Sequence, residues 1–315
     1  MVDDLMKKLV LSAALLAAST NSFAADKVTL MLDWFVNPDH GALVIAEQRG
    51  LFAEQGLEVE MQEPATPSMP PKLVAAGQTD LAVTYQPQLI QDVVEKLPLV
   101  RVSTLIATPL NTLMVLADGD IKTLADMKGK TIGTAISGGV GEATIGVMLA
   151  NSGVSMDDVK VINVGWALSS SLAAKKVDAI YGGYRNFEMH QLAAEGFTGK
   201  AFYLEEEGVP PYDELIVVAN RDKYNPELMS RFNRALELAT QYIVNHPDEA
   251  WDLFKTYKSA EDLDTDLNRN AWKDTLTRFA LRPAAVDAAR YQRYSEFLFD
   301  AGVIASKPDT SSFLR

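Results

Sequence analysis

The stretch Leu30-Met31-Leu32-Asp33-Trp34-Phe35-Val36-Asn37-Pro38-Asp39-His40-Gly41 decides how the chain folds. Val28 to Leu32 is apolar, β-rich and bounded by turn formers, so it reads as a short buried strand. A helix is expected from about His40, with Leu43, Val44, Ala46 and Leu51 at helical spacing. It pauses at Gly50-Leu51-Phe52 and restarts to Gly56. In an α/β sheet the loop after a strand opens at the carboxyl edge, where ligands bind. A Trp beside hydrogen-bonding groups in that loop is the make-up of a platform for a flat, polar molecule. Trp34 and Phe35 are equally compatible with core packing, because large aromatics dominate cores as well as sites.

Downstream, strands and helices alternate. Strands are expected at Leu57–Met61, Asp80–Tyr85, Val100–Ala107 and Leu113–Ala117, with helices at Lys72–Ala76 and Pro87–Lys96 between them. A second, similar set follows. Its strands are Thr131–Thr134, Val159–Val164, Asp178–Tyr181 and Ala201–Leu204; its helices are Gly141–Asn151, Ser170–Lys175 and Phe187–Glu195. After a last strand, Leu215–Ala219, the chain reads as helical: 226–245, 247–257, 264–280 and 284–301, with Pro247 and Pro283 at helix starts. This βαβα order argues for mostly parallel sheets flanked by helices. Two sets followed by helices argue for two lobes, with Leu113–Ala117 and Leu215–Ala219 as crossover strands. Lobe I is then 26–115 plus 215–315, and lobe II 116–214.

Upstream, Lys7-Lys8 precedes the apolar run Leu9–Ala18 and then Ser22-Phe23-Ala24. That charged, apolar, small-residue order is a secretory signal, expected to be cleaved after residue 24. The run is well short of the roughly 20 residues a membrane-spanning helix needs. Asp3 and Asp4 are unusual in such a leader and leave both Met1 and Met6 open as the start. A chain without Cys has no lipid-anchoring cysteine, disulfide, thiolate metal site or Cys nucleophile. With 29 Lys and Arg against 42 Asp and Glu, the net charge is −13, which argues against nucleic acid or an anionic membrane as partner. His40, His190 and His246 lie too far apart for a metal spacing.

Leu32 to Gly41, followed by Glu47-Gln48-Arg49-Gly50-Leu51-Phe52-Ala53-Glu54-Gln55-Gly56-Leu57-Glu58-Val59, is similar to the thiamine-pyrimidine-precursor family, within the type II periplasmic solute-binding proteins. Further matches are Gly77-Gln78-Thr79-Asp80-Leu81, Tyr85-Gln86-Pro87, Pro109-Leu110-Asn111, Leu124 to Gly133, Ile162-Asn163-Val164-Gly165-Trp166 and Lys176-Val177-Asp178-Ala179-Ile180. The resemblance runs over about 28–220. Lys128-Gly129-Lys130 and Lys176 to Ala179 occur across solute-binding proteins generally; the Trp34–His40 loop, Tyr85-Gln86-Pro87 and Asn186–Glu188 are more specific. The family holds bacterial importer proteins for aminopyrimidines and fungal hydroxymethylpyrimidine synthases. The resemblance implies an α/β, two-lobed binding protein with no cofactor, monomeric and periplasmic, that delivers a small pyrimidine to an ABC permease by hinge closure.

On that reading the ligand-binding residues are Asp33, Trp34, Asn37, His40, Tyr85, Gln86, Asn111, Gly139, Trp166, Tyr184, Asn186 and Glu188. Trp34 would stack on the heteroaromatic ring, a contact of about 1 kcal/mol beyond area burial. Tyr85 would close the other side of the ring, Asn111 would reach a ring nitrogen, and Trp166 would add a wall. Glu188 would pair with an amino group and a protonated ring nitrogen together; as an acid in the first turn of a helix it also fits the helix dipole. Ser137-Gly138-Gly139-Val140-Gly141 opens a helix whose N–H groups would face the ligand, without the Lys or spacing of a nucleotide phosphate loop. His40 matches a site histidine of the synthases. Those enzymes need a lysine for pyridoxal phosphate and a Cys-rich iron motif, and this chain has no Cys. Riboflavin, another flat ligand, is the alternative within the binding class.

Overall fold

The computed structural model describes residues 24–257 and 262–315, so the expected leader lies outside them but for its last residue. In chain order the strands are β1 (Asp26–Met31), β2 (Leu57–Gln62), β3 (Leu81–Thr84), β4 (Leu99–Ile106), β5 (Asn111–Leu116), β6 (Thr131–Thr134), β7 (Lys160–Asn163), β8 (Ala179–Tyr184), β9 (Gly199–Tyr203) and β10 (Leu215–Asn220). They form two five-stranded sheets, β2-β1-β3-β10-β4 and β7-β6-β8-β5-β9. In the first, β1 is parallel to β2 and β3, while β10 runs antiparallel to β3 and β4. The second repeats this plan, with β6 parallel to β7 and β8, and β5 antiparallel to β8 and β9. Each sheet is therefore mixed, with one reversed strand supplied by the crossing chain.

Both expected crossover strands are present. The chain changes sheets earlier than the 115/116 boundary read from the sequence, because Asn111 already pairs with Tyr184 in the second sheet. The return crossing runs from the end of β9 to Leu215.

β10 shows why sequence pattern and position agree. Leu-Ile-Val-Val-Ala-Asn is buried throughout, as a strand covered on both faces must be. Leu215, Val217 and Ala219 face one core and Ile216 and Val218 another, the two-residue period of a pleated strand. The first core lies under helices Gly41–Gln48, Leu51–Glu54, Pro226–Asn245 and Pro247–Phe254. The second runs from the far face of the first sheet into the near face of the second, filled by helices Gln86–Val94, Gly139–Ala150 and Ala288–Asp300. A third, smaller core with Leu168, Leu172 and Leu192 backs the second sheet.

The C-terminal helices differ from expectation at two ends. The expected 264–280 helix stops at Thr275, because Ala107 and Ala280 donate backbone N–H groups to Arg278 and Leu105 and Phe279 bridges Ile106 instead. The expected 284–301 helix begins at Ala288, capped by Asp287, which accepts the Arg290 N–H at 3.0 Å. No helix among the described residues is long and apolar enough to cross a membrane.

Candidate ligand-binding cleft

The loop after β1 folds on itself before it meets anything else. Asn37 accepts the Asp39 N–H at 2.9 Å, Pro38 occupies the first helical position, and the Asn37 N–H donates to His40 Nδ1 at 3.3 Å. This reciprocal cap starts a helical turn, Pro38–His40, that runs straight into the helix from Gly41. A side chain at Gly41 would meet the rings of Trp272 at 2.8 Å and Phe279 at 2.9 Å, so only glycine lets the helix start seat there. With Nδ1 accepting, His40 carries its proton on Nε2 and donates it to Asp33 Oδ1 at 2.9 Å. Asp33 Oδ2 accepts the Tyr85 hydroxyl at 2.8 Å. His40 and Tyr85 thus fix Asp33, and the loop leaves Trp34 on the cleft side.

This cleft lies between the two sheets and, with its open mouth included, encloses about 1020 Å³. From the first sheet it is lined by Asp33, Trp34, Asn37, Asp39, His40 and Tyr85; from the second by Asn111, Thr134, Tyr181, Tyr184 and Glu188; and from the return crossing by Tyr212 and Glu214. Eight of the expected site residues therefore share one wall system: Asp33, Trp34, Asn37, His40, Tyr85, Asn111, Tyr184 and Glu188.

The other four stand elsewhere, each for a visible reason. Gln86 is fully buried, accepting the Asp213 N–H at 2.8 Å, and pins the return crossing. Gly139 borders an adjoining hollow, and a Cβ on it would lie 2.6 Å from Gln91 Oε1. Gln91 also accepts the Val140 N–H across the cleft at 3.2 Å. Asn186 is turned away, donating to Asp39 at 2.6 Å and Thr275 at 2.8 Å. Trp166 meets Trp34 edge-on at 4.4 Å and Phe35 at 4.7 Å, bracing the platform rather than lining the cavity.

Sequence reading passed over Asp39, Tyr181, Tyr212 and Glu214. Asp39 stood inside the quoted loop; Tyr212-Asp213-Glu214 immediately precedes a crossover strand, and polar residues at a crossing were the available signal.

Electrostatically the cleft is a pool of crowded carboxyls. Burial pushes Glu188 up to about 8, with Asp39 adding to the rise, against the N–H bonds it accepts from Tyr184 and its own backbone. Glu214 is pushed up to about 7 by burial, opposed by the Asn111 and Leu110 N–H groups and the Tyr212 hydroxyl. Asp39 rises to about 6, again from burial, against Asn186, His40 and Thr275. Near neutral pH the cleft therefore mixes acceptors with a carboxyl that holds its proton. Such a site suits a flat ring rich in N–H groups, because it offers aromatic faces and convergent acceptors.

Two linked α/β sheets with a polar, aromatic cleft at their crossing define the periplasmic binding protein fold. An alkanesulfonate-binding protein of Xanthomonas axonopodis pv. citri, solved bound to MOPS, matches it with a TM-score of 0.71 at 17% identity, over 92% of this chain and 98% of its own. The chain belongs to the NMT1/THI5-like family, whose model matches residues 37–250. It is 51% identical over 90% of both chains to a Haemophilus influenzae protein described provisionally as a thiamine biosynthesis protein. It is 34% identical to the formylaminopyrimidine-binding protein of Halalkalibacterium halodurans, over 80% of this chain and 77% of that one. A 4-amino-5-hydroxymethyl-2-methylpyrimidine phosphate synthase of Aspergillus parasiticus is 25% identical over 87% and 83%.

Proposed function

We propose that this chain is the soluble substrate-binding component of an ABC importer and that it captures a small heteroaromatic thiamine precursor, of the formylaminopyrimidine or hydroxymethylpyrimidine type. Two lobes, one around each sheet, close on the ligand about the two crossings, and the closed form docks on a membrane permease. The leader sends the chain to the periplasm, where it works as a monomer. One observation carries the ligand: Trp34, after β1, and Glu188, after β8, face the same cleft from opposite sheets. Trp34 stacks on the ring, and Glu188 meets the amino group and ring nitrogen. The formylaminopyrimidine-binding relative supports the same class of ligand.

Binding without chemistry is favoured over the synthase reaction by a specific absence. Among the described residues no lysine lines the cleft, and Lys72 borders the adjoining hollow instead. The deciding experiment is native mass spectrometry of the freshly purified protein, followed by titration calorimetry with 4-amino-5-hydroxymethyl-2-methylpyrimidine and its formylaminomethyl analogue. Micromolar or tighter binding, about −8 kcal/mol or better, is the expected result. A co-purified flavin, or no heat with either pyrimidine, overturns the assignment.

A further inference from the structure

Glu214 occupies an unusual place: it stands at the end of the return crossing, next to β10, with 2% of its surface exposed, and it also lines the cleft. Its Oε2 accepts the backbone N–H of Leu110 at 2.6 Å and of Asn111 at 2.9 Å, both on the outward crossing, and the Tyr212 hydroxyl at 3.0 Å. One carboxylate oxygen thus ties the two interlobe connections together. The other, Oε1, has only the long 3.4 Å contact with the Tyr184 hydroxyl. Neighbouring Asp213 is anchored into the first sheet's side of the molecule. It accepts Thr104 Oγ1 at 2.9 Å and pairs with Arg290, while Gln86 accepts its N–H. The backbone on either side of Glu214 therefore has little freedom to carry its carboxylate away.

We propose that Glu214 is a second specificity carboxylate, which binds an N–H donor of a cationic or amino-substituted heterocycle with Oε1 and so couples ligand charge to the hinge. The inference rests on the pyrimidine-binding reading above. A ligand N–H on Oε1 draws charge onto that carboxylate and reorients the Tyr184 hydroxyl. The same group holds Leu110 and Asn111, so a ligand that carries the donor tightens the hinge, and a ring of the same shape without it does not. The ionisable groups facing Glu214 are Tyr212 on its own segment, Tyr181, Tyr184 and Arg185 in and just after β8, Tyr85 after β3, and Tyr294 on helix Ala288–Asp300. Glu188 and Asp39 complete the cleft's charge.

The test compares 4-amino-5-hydroxymethyl-2-methylpyrimidine with 5-hydroxymethyl-2-methylpyrimidine, which has hydrogen in place of the amino group and no N–H donor, on wild type and Glu214→Gln, whose amide oxygen still accepts the two hinge N–H groups. The variant should lose tenfold or more in affinity for the amino compound and stay within twofold for the deamino compound. Equal losses for the two ligands, or unchanged affinity for the amino compound, overturn the proposal. Amide hydrogen exchange at Leu110 and Asn111 in the wild-type protein serves even where the variant fails to fold. The amino compound should slow it more than the deamino compound at matched saturation, and equal slowing overturns the coupling. Wild-type protein that binds neither pyrimidine refutes the functional reading itself, and this inference falls with it.

Discussion

Trp34 is half-buried and touches two environments. One side of its indole packs on Trp166 and the small core behind the second sheet, and the other lines the cleft. A side chain so divided contributes to ligand stacking without being expendable for packing. Trp34→Ala is expected to weaken pyrimidine binding by tenfold or more, about 1.4 kcal/mol, by titration calorimetry; unchanged affinity removes the stacking role. Glu188 is divided in the same way. Its Oε2 accepts the Tyr184 N–H at 2.6 Å at the end of β8, which holds the turn into helix Glu188–Ala194, while the residue lines the cleft, which is the binding role. Glu188→Gln keeps an acceptor for that N–H and removes the ability to carry charge. It should therefore cut affinity by more than tenfold with no drop in melting temperature. A large drop in melting temperature with affinity intact would assign Glu188 to the helix alone. The sequence carried the chemistry of both residues and not their orientation. Asn186 shows the limit, since its neighbours in sequence face the cleft while its own amide turns to Asp39 and Thr275, residues 147 and 89 positions away.

Among elements, the joint between helix Glu188–Ala194 and helix Asp266–Thr275 draws the second sheet's side of the molecule onto the C-terminal helices. Asn186 reaches Asp39 and Thr275, and His190 Nε2 lies 2.7 Å from Asp274. The Asn186 contact is buried, whereas the His190 pair is partly exposed and correspondingly weaker. Asn186→Ala leaves Asp39 with only the Thr275 hydroxyl on Oδ1 and nothing on Oδ2. Removing one partner of a buried polar group costs about 1–3 kcal/mol. Urea unfolding should show that loss, and an unchanged midpoint would mean that this joint opens freely in solution. Every element in this joint is legible from local pattern: the 3.6-residue period of the helices and the strand preceding Asn186. Their meeting is not, because it depends on which crossing returns the chain to which sheet. The same holds for Gln86 and Gly139, which sit at expected element starts and yet serve the crossing and the Gln91 contact rather than the cleft. Glu214 was overlooked for the converse reason: nothing in its own neighbourhood says that Leu110 is adjacent.

For the whole molecule, the cleft acids make stability depend on pH in a direction opposite to ordinary salt-bridged carboxylates. Glu188, Glu214 and Asp39 rise to about 8, 7 and 6 in the folded chain from ordinary values of 4.5, 4.5 and 3.8, and Asp92, beside the adjoining hollow, rises to about 6. Between the ordinary and the raised values the folded state binds more protons than the unfolded one. The stability they contribute is thus complete below about pH 4 and is lost as pH climbs through 6, 7 and 8. The ligand-free protein is expected to melt at steadily lower temperature from about pH 5 to about pH 8.5. The net charge of −13 pushes the same way through self-repulsion, so the slope alone does not identify the cleft. The difference between wild type and Glu188→Gln does, because the variant lacks the group that titrates last. The two melting curves should run parallel below about pH 4.5, diverge steadily from there to about pH 8 with the variant falling less, and run parallel again above it. Curves that stay parallel to pH 8.5 would mean that Glu188 ionises at its ordinary value, and that the cleft is wetter and more open in solution than its buried walls imply.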